Sequence, residues 1–169
     1  MTQLAKALEI KRPTLLYHFP TRGDVVVVAL EDILQEQAMF VLSRIARHKH
    51  PIDRLYARLC ATHEFHKGRE QRIVFLSQAI VATGEQRLAE LIDVGNRVFA
   101  LFREAQADHV RRGIEEGIVH PCDVDALMAL IRSVTDGLLV QRVMTGVPFE
   151  PVHAFLWDRV LKPLKKETD

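Results

Sequence analysis

The spacing of apolar residues along this chain indicates helices almost throughout. Between positions 51 and 66, apolar side chains recur at intervals of three and four, which places them on one face of a helix. This face consists of Ile52, Leu55, Tyr56, Leu59, Cys60 and His63. A second stripe of the same period begins at Leu88 and runs to about Ile114. No strand-turn-strand signal occurs, so the pattern predicts an all-α protein.

Two later stretches continue the helical pattern. One helix is predicted at about 123–145, with Asp123 or Asp125 capping its start and a glycine at its end. Another is predicted at about 149–166, where Pro163 stops it because proline cannot continue a helix. Glycine and proline separate these stretches from one another, as expected for the turns between helices.

The run of four valines at 25–28 is ambiguous, because β-branched residues favour strands. Its flanks favour a helix. The preceding "TRGD" is typical of a helix start, and Leu30, Ile33 and Leu34 continue at helical spacing. We therefore predict one long helix over about 21–48, which begins with poor helix formers.

The first 20 residues predict two short helices with a tight corner between them. Leu15 and Phe19 lie four positions apart, so they share one face of the second short helix. The apolar face of the pair consists of Leu4, Ala5, Leu8, Leu15 and Phe19, with Ile10 in the corner. The other side chains of the second helix are therefore expected to point outward.

This outward face suits a DNA groove better than a protein core. Arginine, threonine and tyrosine can reach base edges or phosphates, and an apolar side chain can contact a thymine methyl group. The candidate DNA-contacting residues are Lys11, Arg12, Pro13, Thr14, Leu16, Tyr17, His18 and Arg22. Arg22 begins the next helix, where backbone N–H groups also favour a phosphate. The alternative is an ordinary helical hairpin with packed aromatics and solvated charges.

Composition narrows the class of protein but not its partner. The chain has 169 residues, 48% apolar and 27% charged, which is typical of one globular domain or two small ones. Its formal net charge of +1 gives no sign of a nucleic-acid partner. Cys60 and Cys122 are too few for a disulfide framework. The sequence has no recognisable targeting segment or membrane span, and we expect a soluble, cytoplasmic protein.

The stretch "LAKALEIKRPTLLYHFPTRGDVVVVALE" resembles the DNA-binding signature of the tetracycline-repressor (TetR) family of transcriptional regulators. In that family a short helix is followed by Ser-x-x-Thr-Leu-Tyr-x-His-Phe, a Pro-Ser-Lys corner and a long connecting helix. The matching positions are Ile10, Thr14, Leu15, Tyr17, His18, Phe19 and Pro20, with Arg22 in place of the lysine. Two positions depart from the family pattern: Glu9 stands where glycine is usual, and Lys11 replaces the capping serine.

The resemblance implies a two-part, all-α architecture. A helix-turn-helix DNA-binding region with the start of the connecting helix is expected over residues 1–45, and a ligand-binding and dimerisation domain over 46–169. The six longer helices that begin at about Thr21 are expected to form its bundle. Family members carry a further amphipathic helix before the stretch that begins here at Thr2, so the DNA-binding region is expected to be incomplete. We expect either that the native protein starts upstream of Met1, or that this form dimerises and binds ligand but binds DNA weakly.

The resemblance also implies a function: a ligand-responsive regulator, expected to be a repressor, that binds operator DNA as a homodimer. A small, largely hydrophobic effector is expected to bind in the helical core and release the DNA. Candidate effector contacts, which put aromatic or polar groups on apolar helix faces, are His63, His66, Phe75, Gln78, Phe99, Phe102 and Arg103. Candidate dimer contacts in the last two long helices are Leu127, Leu130, Gly137, Leu138, Phe155 and Val160. The alternative is that these residues form the core or surface of a single protomer.

Two other classes of function remain open. The segment "HEFH" places His63, Glu64 and His66 together, as a metalloenzyme built on a helical bundle could require, but it is not the HExxH motif. No nucleophile elbow or glycine-rich phosphate loop is present in the sequence. We therefore expect no catalytic residues, no metal and no cofactor. The other class is a helical dimer that binds a small molecule or a protein and has no role on DNA.

Overall fold

The computed structural model describes residues 1–75 and 84–166. These residues form helices and no β-strand, which confirms the predicted all-α fold. The helices are α1 (Thr2–Ala7), α2 (Arg12–His18), α3 (Arg22–Ile45), α4 (Pro51–His66), α5 (70–75), α6 (Gly84–Glu115), α7 (Val124–Thr145) and α8 (Glu150–Leu156). A π-helical turn at Trp157–Leu161 and a 3-10 turn at Lys162–Leu164 follow α8.

The valine run lies within α3, as predicted, because the residues before it form a strong helix start. The Thr21 backbone N–H donates to Asp24 Oδ2 at 2.7 Å, and the Asp24 backbone N–H donates to Thr21 Oγ1 at 3.2 Å. This reciprocal capping box satisfies two backbone donors that the first turn would otherwise leave unpaired. The cap thus fixes the helix before its four poor helix formers begin.

Helix α7 has the boundaries that its sequence predicts. The Asp123 side chain accepts from the Ala126 backbone N–H at 3.0 Å, so Asp123 and not Asp125 is the capping residue. At the other end Gly146 has a φ of 72°, in the left-handed region, and its N–H donates to the Arg142 carbonyl at 2.9 Å. Glycine takes this conformation without a steric penalty, which is why the helix ends there.

The single last helix predicted over about 149–166 is wrong in its second half. The α-helix ends at Leu156, and the chain continues through the π-helical turn and then the 3-10 turn that contains Pro163. Proline lacks an N–H and its ring collides with the carbonyl four residues earlier. The regular hydrogen-bond ladder therefore stops before Pro163 is reached, and the last turns use other spacings.

Helix α4 forms the centre of the main hydrophobic core. Ile52, Leu55 and Leu59 are almost completely buried on its inner face. They pack against residues of α6, the loop after it, α7, α8 and the chain end, which include Val110, Val119, Leu127, Ile131, Leu156 and Leu161. The stripe of apolar residues predicted on α4 is therefore the one that the core buries.

The last residues of the described chain hold the loop between α6 and α7 against α4. Val119 and Lys165 form an isolated antiparallel bridge, in which the His120 N–H donates to the Leu164 carbonyl at 2.8 Å. The Lys165 ammonium also donates to the Asp53 carboxylate at 2.7 Å. These contacts join the C-terminal turns to the first turn of α4.

Helix α3 connects the N-terminal pair of helices to this core. Its 24 residues span about 36 Å at the α-helical rise. At its far end Val41 and Ile45 pack with Ala61 of α4. Arg44 lies 3.1 Å from Glu64 in an ion pair between the same two helices. Helix α3 is therefore anchored to α4 by both apolar and charged contacts at this end.

Candidate nucleic-acid interface and buried histidine chain

Helices α1 and α2 each bury one residue almost completely. Ala5 and Leu15 are only 3% exposed, whereas Leu4 and Phe19 are half-buried. Leu8, expected on the inward face, is 55% exposed, and Ile10 in the corner is also exposed. The predicted apolar face is thus buried only at its centre in this structure.

The corner between α1 and α2 depends on an unusual backbone conformation at Glu9. Its φ is 54°, in the left-handed region that glycine adopts without a steric penalty. The Glu9 N–H donates to the Lys6 carbonyl at 3.2 Å, and the Ile10 N–H donates to the Ala5 carbonyl at 3.0 Å. Glutamate therefore occupies a position with the geometry of a helix-ending glycine.

The residues predicted to contact DNA lie on α2, at Lys11 just before it and at Arg22, the first residue of α3. Tyr17 is 83% exposed and meets the His18 ring edge to face, with ring centres 5.2 Å apart. Leu16 is half-buried, and the other members of the set are exposed: Lys11, Arg12, Pro13, Thr14, His18 and Arg22. A surface with three cations, a hydroxyl and a phenol can approach a phosphate backbone.

The start of α2 has no side-chain cap. Lys11 occupies the capping position in an extended conformation, and its side chain makes no capping hydrogen bond. Pro13 follows in the first turn, where its missing N–H removes no helical bond. At this N-terminal position a serine or threonine would stabilise the helix by a capping hydrogen bond. The exposed Lys11 supplies a positive charge there instead.

A second polar feature lies inside the bundle, where His63 of α4 is fully buried. Its Nε2 lies 2.9 Å from the Thr135 carbonyl oxygen, and its Nδ1 lies 2.7 Å from His153 Nε2. A carbonyl oxygen can only accept, so His63 carries its proton on Nε2 and accepts at Nδ1. His153 must then donate from Nε2. One carbonyl therefore determines the tautomer of both rings.

The chain of hydrogen bonds continues from His153 to Cys60. His153 Nδ1 has no proton in this tautomer and lies 3.5 Å from Cys60 Sγ, so the thiol donates to it. Tyr56, beside Cys60, is one turn earlier on α4, and burial followed by the influence of Cys60 raises the pKa of Tyr56 to about 12. The Tyr56 ring centre also lies 4.8 Å from that of Trp157. These contacts join α4 to α7, to α8 and to the turn after α8.

The surroundings of His63 and His153 favour the neutral form of both imidazole rings. The rings of His63 and Phe149 stack with centres 4.6 Å apart, and the rings of His63 and His153 are nearly parallel, with centres 4.9 Å apart across their hydrogen bond. Burial lowers the pKa of His153 to about 4, and the nearby His63 contributes to the same shift. Burial also lowers the pKa of His63, against the opposing effect of its bond to Thr135.

His66 is buried one turn further along α4. Its Nε2 lies 2.9 Å from Gln37 Oε1 on α3, whereas its Nδ1 has no hydrogen-bond partner among the described residues. Burial, followed by the charges of Arg72, His63 and Arg69, lowers the pKa of His66 to about 4. This histidine therefore links α3 to α4 as a neutral ring.

The residues predicted to contact an effector occupy different environments. His63 and His66 are interior, and the ring nitrogens of His63 are committed to protein partners. Phe75 is exposed, whereas Phe99, Phe102 and Arg103 are half-buried on the side of α6 that includes Gln106. Gln78 lies outside the residues that the structure describes. Sequence reasoning missed the partners of His63, although a histidine within the apolar stretch "PVHAFLW" was a possible signal.

The residues predicted at a dimer interface also divide into two groups. Leu127 and Leu138 are buried within the protomer, where Leu127 belongs to the main core. Leu130 and Phe155 are exposed, and Gly137 faces open space. Val160 is half-buried. Only the exposed group is available to a partner in this conformation.

Within 1–75 and 84–166, no three or more His, Cys, Asp or Glu side chains are grouped so that they could hold a metal ion. Within the same ranges, no helix is both long and apolar enough to cross a membrane.

Comparisons with known proteins identify the fold. No protein-family model matches the chain, and no curated protein matches it. A solved structure of a protein of unknown function from Rhodococcus sp. RHA1 is similar, with a TM-score of 0.73 at 14% identity, covering 98% of this chain and 84% of that one. The crystal structure of PfmR, a TetR family transcriptional regulator from Thermus thermophilus, is also similar. It has a TM-score of 0.62 at 19% identity and covers 96% of this chain and 87% of PfmR.

Proposed function

We propose that this chain is a ligand-responsive transcriptional regulator, and specifically a repressor that binds operator DNA as a homodimer. The chain has the all-α fold of a TetR family regulator, and that fold is the starting point of the proposal. The observation that carries it is the exposed face of α2, on which Tyr17, Thr14 and Arg12 project into solvent. A non-enzymatic role agrees with this arrangement.

On DNA, the residues of this face divide into two groups by chemistry. Thr14, Leu16 and Tyr17 have the hydroxyl and apolar groups that can distinguish base edges in the major groove. Lys11, Arg12 and Arg22 have the charge that binds phosphates regardless of sequence. Pro13 sets the entry of α2, and His18 packs beside Tyr17.

Dimerisation would place two such faces on one DNA molecule. Helix-turn-helix dimers bind half-sites about one helical turn, roughly 34 Å, apart. The exposed apolar residues of α7 and α8, among them Leu130 and Phe155, are the proposed contacts between protomers. An effector bound beside α4 would shift α3 and so change the separation of the two faces, which would lower operator affinity.

Gel-shift titration with the DNA that flanks the gene tests the proposal. A specific complex is expected, and Thr14→Ala or Tyr17→Ala should weaken it by roughly 1–3 kcal/mol while leaving nonspecific binding unchanged. Arg22→Ala should weaken binding to every sequence and reduce the slope of log affinity against log salt by about one. The absence of a specific complex at any salt, with a complete DNA-binding region present, would favour a small-molecule-binding dimer without DNA activity.

A further inference from the structure

Arg58 of α4 is a half-buried cation without a carboxylate partner among the described residues. Its guanidinium donates to Gln106 Oε1 on α6, and Gln106 is itself buried. Arg58 forms no ion pair with any side chain that the structure describes. A guanidinium has five N–H donors, so one amide oxygen leaves most of its hydrogen-bonding capacity unused.

The charges around Arg58 are also mainly positive. Arg103 lies one helical turn before Gln106 on α6, and Arg132 of α7 lies one turn before Thr135, whose carbonyl binds His63 of α4. Burial first, and then Arg103 and Arg132, lower the pKa of Arg58, whereas Asp136 opposes them. Asp136 is exposed, and its carboxylate lies 3.5 Å from Arg132 in an ion pair.

At this junction of α4, α6 and α7, the charges of Arg103 and Arg132 therefore act on Arg58 together with that of the Asp136 carboxylate, which lies in an ion pair with Arg132. Gathering like charges where water is partly excluded is unfavourable unless an anion compensates them. Arginine is also the side chain best suited to bind a carboxylate or phosphate through two parallel hydrogen bonds. Arg103 has an amide partner, Asn96 Oδ1 at 3.2 Å, that such an anion could displace.

We infer that Arg58 and Arg103 bind the anionic oxygen group of an amphipathic ligand, a carboxylate or a phosphate, at the junction of α4, α6 and α7. Phe99 and Phe102 lie half-buried on α6, one turn from Arg103 and Gln106, and supply an apolar surface for the rest of the molecule. The inference rests on the proposed function only in assigning this ligand as the effector.

Isothermal titration calorimetry without DNA tests the site. The probes are decanoate, decan-1-ol as its uncharged counterpart, and inorganic phosphate as a head group alone. Decanoate should bind the wild type at least ten-fold more tightly than decan-1-ol. R58Q should lose at least ten-fold in decanoate affinity, R58K should lose less, and R159Q, which changes an exposed arginine, should bind like the wild type.

A second measurement follows the side chain directly. In 15N-labelled protein, the Arg58 Nε–Hε signal, assigned by its loss in R58Q, should move on titration with decanoate or phosphate. A response to decanoate identifies a carboxylate site, and a response to phosphate alone identifies a phosphate site; either supports the inference. If R58Q proves unstable in thermal unfolding, R103Q provides the same comparison.

Unchanged decanoate affinity in both R58Q and R103Q would overturn the inference, as would the absence of any response of the wild type to both anions. Because no DNA is present, the result is independent of operator binding. A protein that binds decanoate through Arg58 but forms no operator complex would refute the proposed regulator and leave the anion site intact. A protein that forms an operator complex but does not bind these anions through Arg58 would support the proposed regulator and refute the anion site.

Discussion

At the scale of single residues, Glu9 is the clearest conflict between sequence and backbone. A non-glycine residue in the left-handed region costs roughly 1–2 kcal/mol. Glycine removes that cost but adds freedom to the unfolded chain, which offsets about half of the gain. The corner between α1 and α2 is therefore less stable than its hydrogen bonds suggest.

Replacing Glu9 with glycine should stabilise the protein by up to about 1 kcal/mol, because the left-handed φ of 54° ceases to be strained. Urea unfolding of the wild type and the variant would measure this. Glu9→Ala is the matched control, since alanine removes the charge and keeps the strain. A gain of the same size in Glu9→Ala would attribute the effect to charge.

The buried histidines make stability depend on pH. The pKa values of His66 and His153 fall from 6.5 to about 4 on folding, and that of His63 also falls, because burial disfavours the charged ring. The unfolded chain therefore binds more protons than the folded one between about pH 6.5 and 4. The contribution of these histidines to the free energy of unfolding should be fully present above about pH 6.5 and should be lost as the pH falls to about 4.

At about 1.4 kcal/mol per pKa unit, His66 alone should contribute roughly 3 kcal/mol to this decline. Urea unfolding at a series of pH values between 8 and 4 would measure the slope. His66→Gln keeps a polar group near Gln37 but cannot titrate, so the slope should become shallower. His120→Gln, which changes an exposed histidine, should leave the slope unchanged. Equal slopes in all three proteins would contradict the interpretation.

At the scale of helices, the sequence predicts those elements whose signals are local. The boundaries of α4 and α7 follow from apolar spacing and from caps that lie within a few residues of each helix end. The outer face of α2 follows in the same way from the inward position of Leu15. The π-helical turn after α8 depends on how the chain accommodates Pro163, which spacing does not reveal.

The buried histidine chain could not be predicted for a different reason. Its partners are distant in sequence: His63 meets Thr135 on one helix and His153 on another. Periodicity indicates that His63 faces inward but not what it faces. The same limit applies to Arg58, whose partner Gln106 lies on α6. The local pattern therefore predicted that His63 is interior, and the tertiary contacts decide its chemistry.

Gly113 is an element-scale constraint, because α6 and the first turn of α4 approach closely at this residue. A Cβ atom there would lie 2.8 Å from Val119 Cγ2 and 3.0 Å from Pro51 Cγ. Gly113→Ala should therefore destabilise the protein by roughly 1–3 kcal/mol, as overpacking does. Gly137→Ala, into open space within α7, should instead stabilise by up to about 1 kcal/mol. Urea unfolding of both variants would check the contrast.

At the scale of the whole molecule, α7 and α8 present apolar side chains that the protomer leaves largely uncovered. Phe155 is 65% exposed and Met144 is 73% exposed, and Leu130 and Val140 are also exposed. An exposed apolar patch of this kind is typical of an interaction surface where its members share one face. A two-fold contact through them would bury the same residues on both protomers.

Phe155→Glu should convert a dimer into monomers, because a charge would be buried against its own copy. Sedimentation velocity would measure the change, and DNA affinity should fall with it. Met39→Glu is the control, since Met39 is exposed to a similar extent on α3 and lies outside the proposed interface. A Phe155→Glu variant that remains dimeric would place the interface elsewhere.

The position of Trp157 has a practical consequence. It is the single tryptophan of the chain, and its ring lies between Tyr56 of α4 and the Lys165 ammonium, which is 5.6 Å from the ring centre. Intrinsic fluorescence excited at the indole therefore comes from one place, where α4 meets the C-terminal turns. A movement of these elements should change the emission of the unlabelled protein, so ligands and pH values that displace α4 from the C-terminal turns can be screened optically.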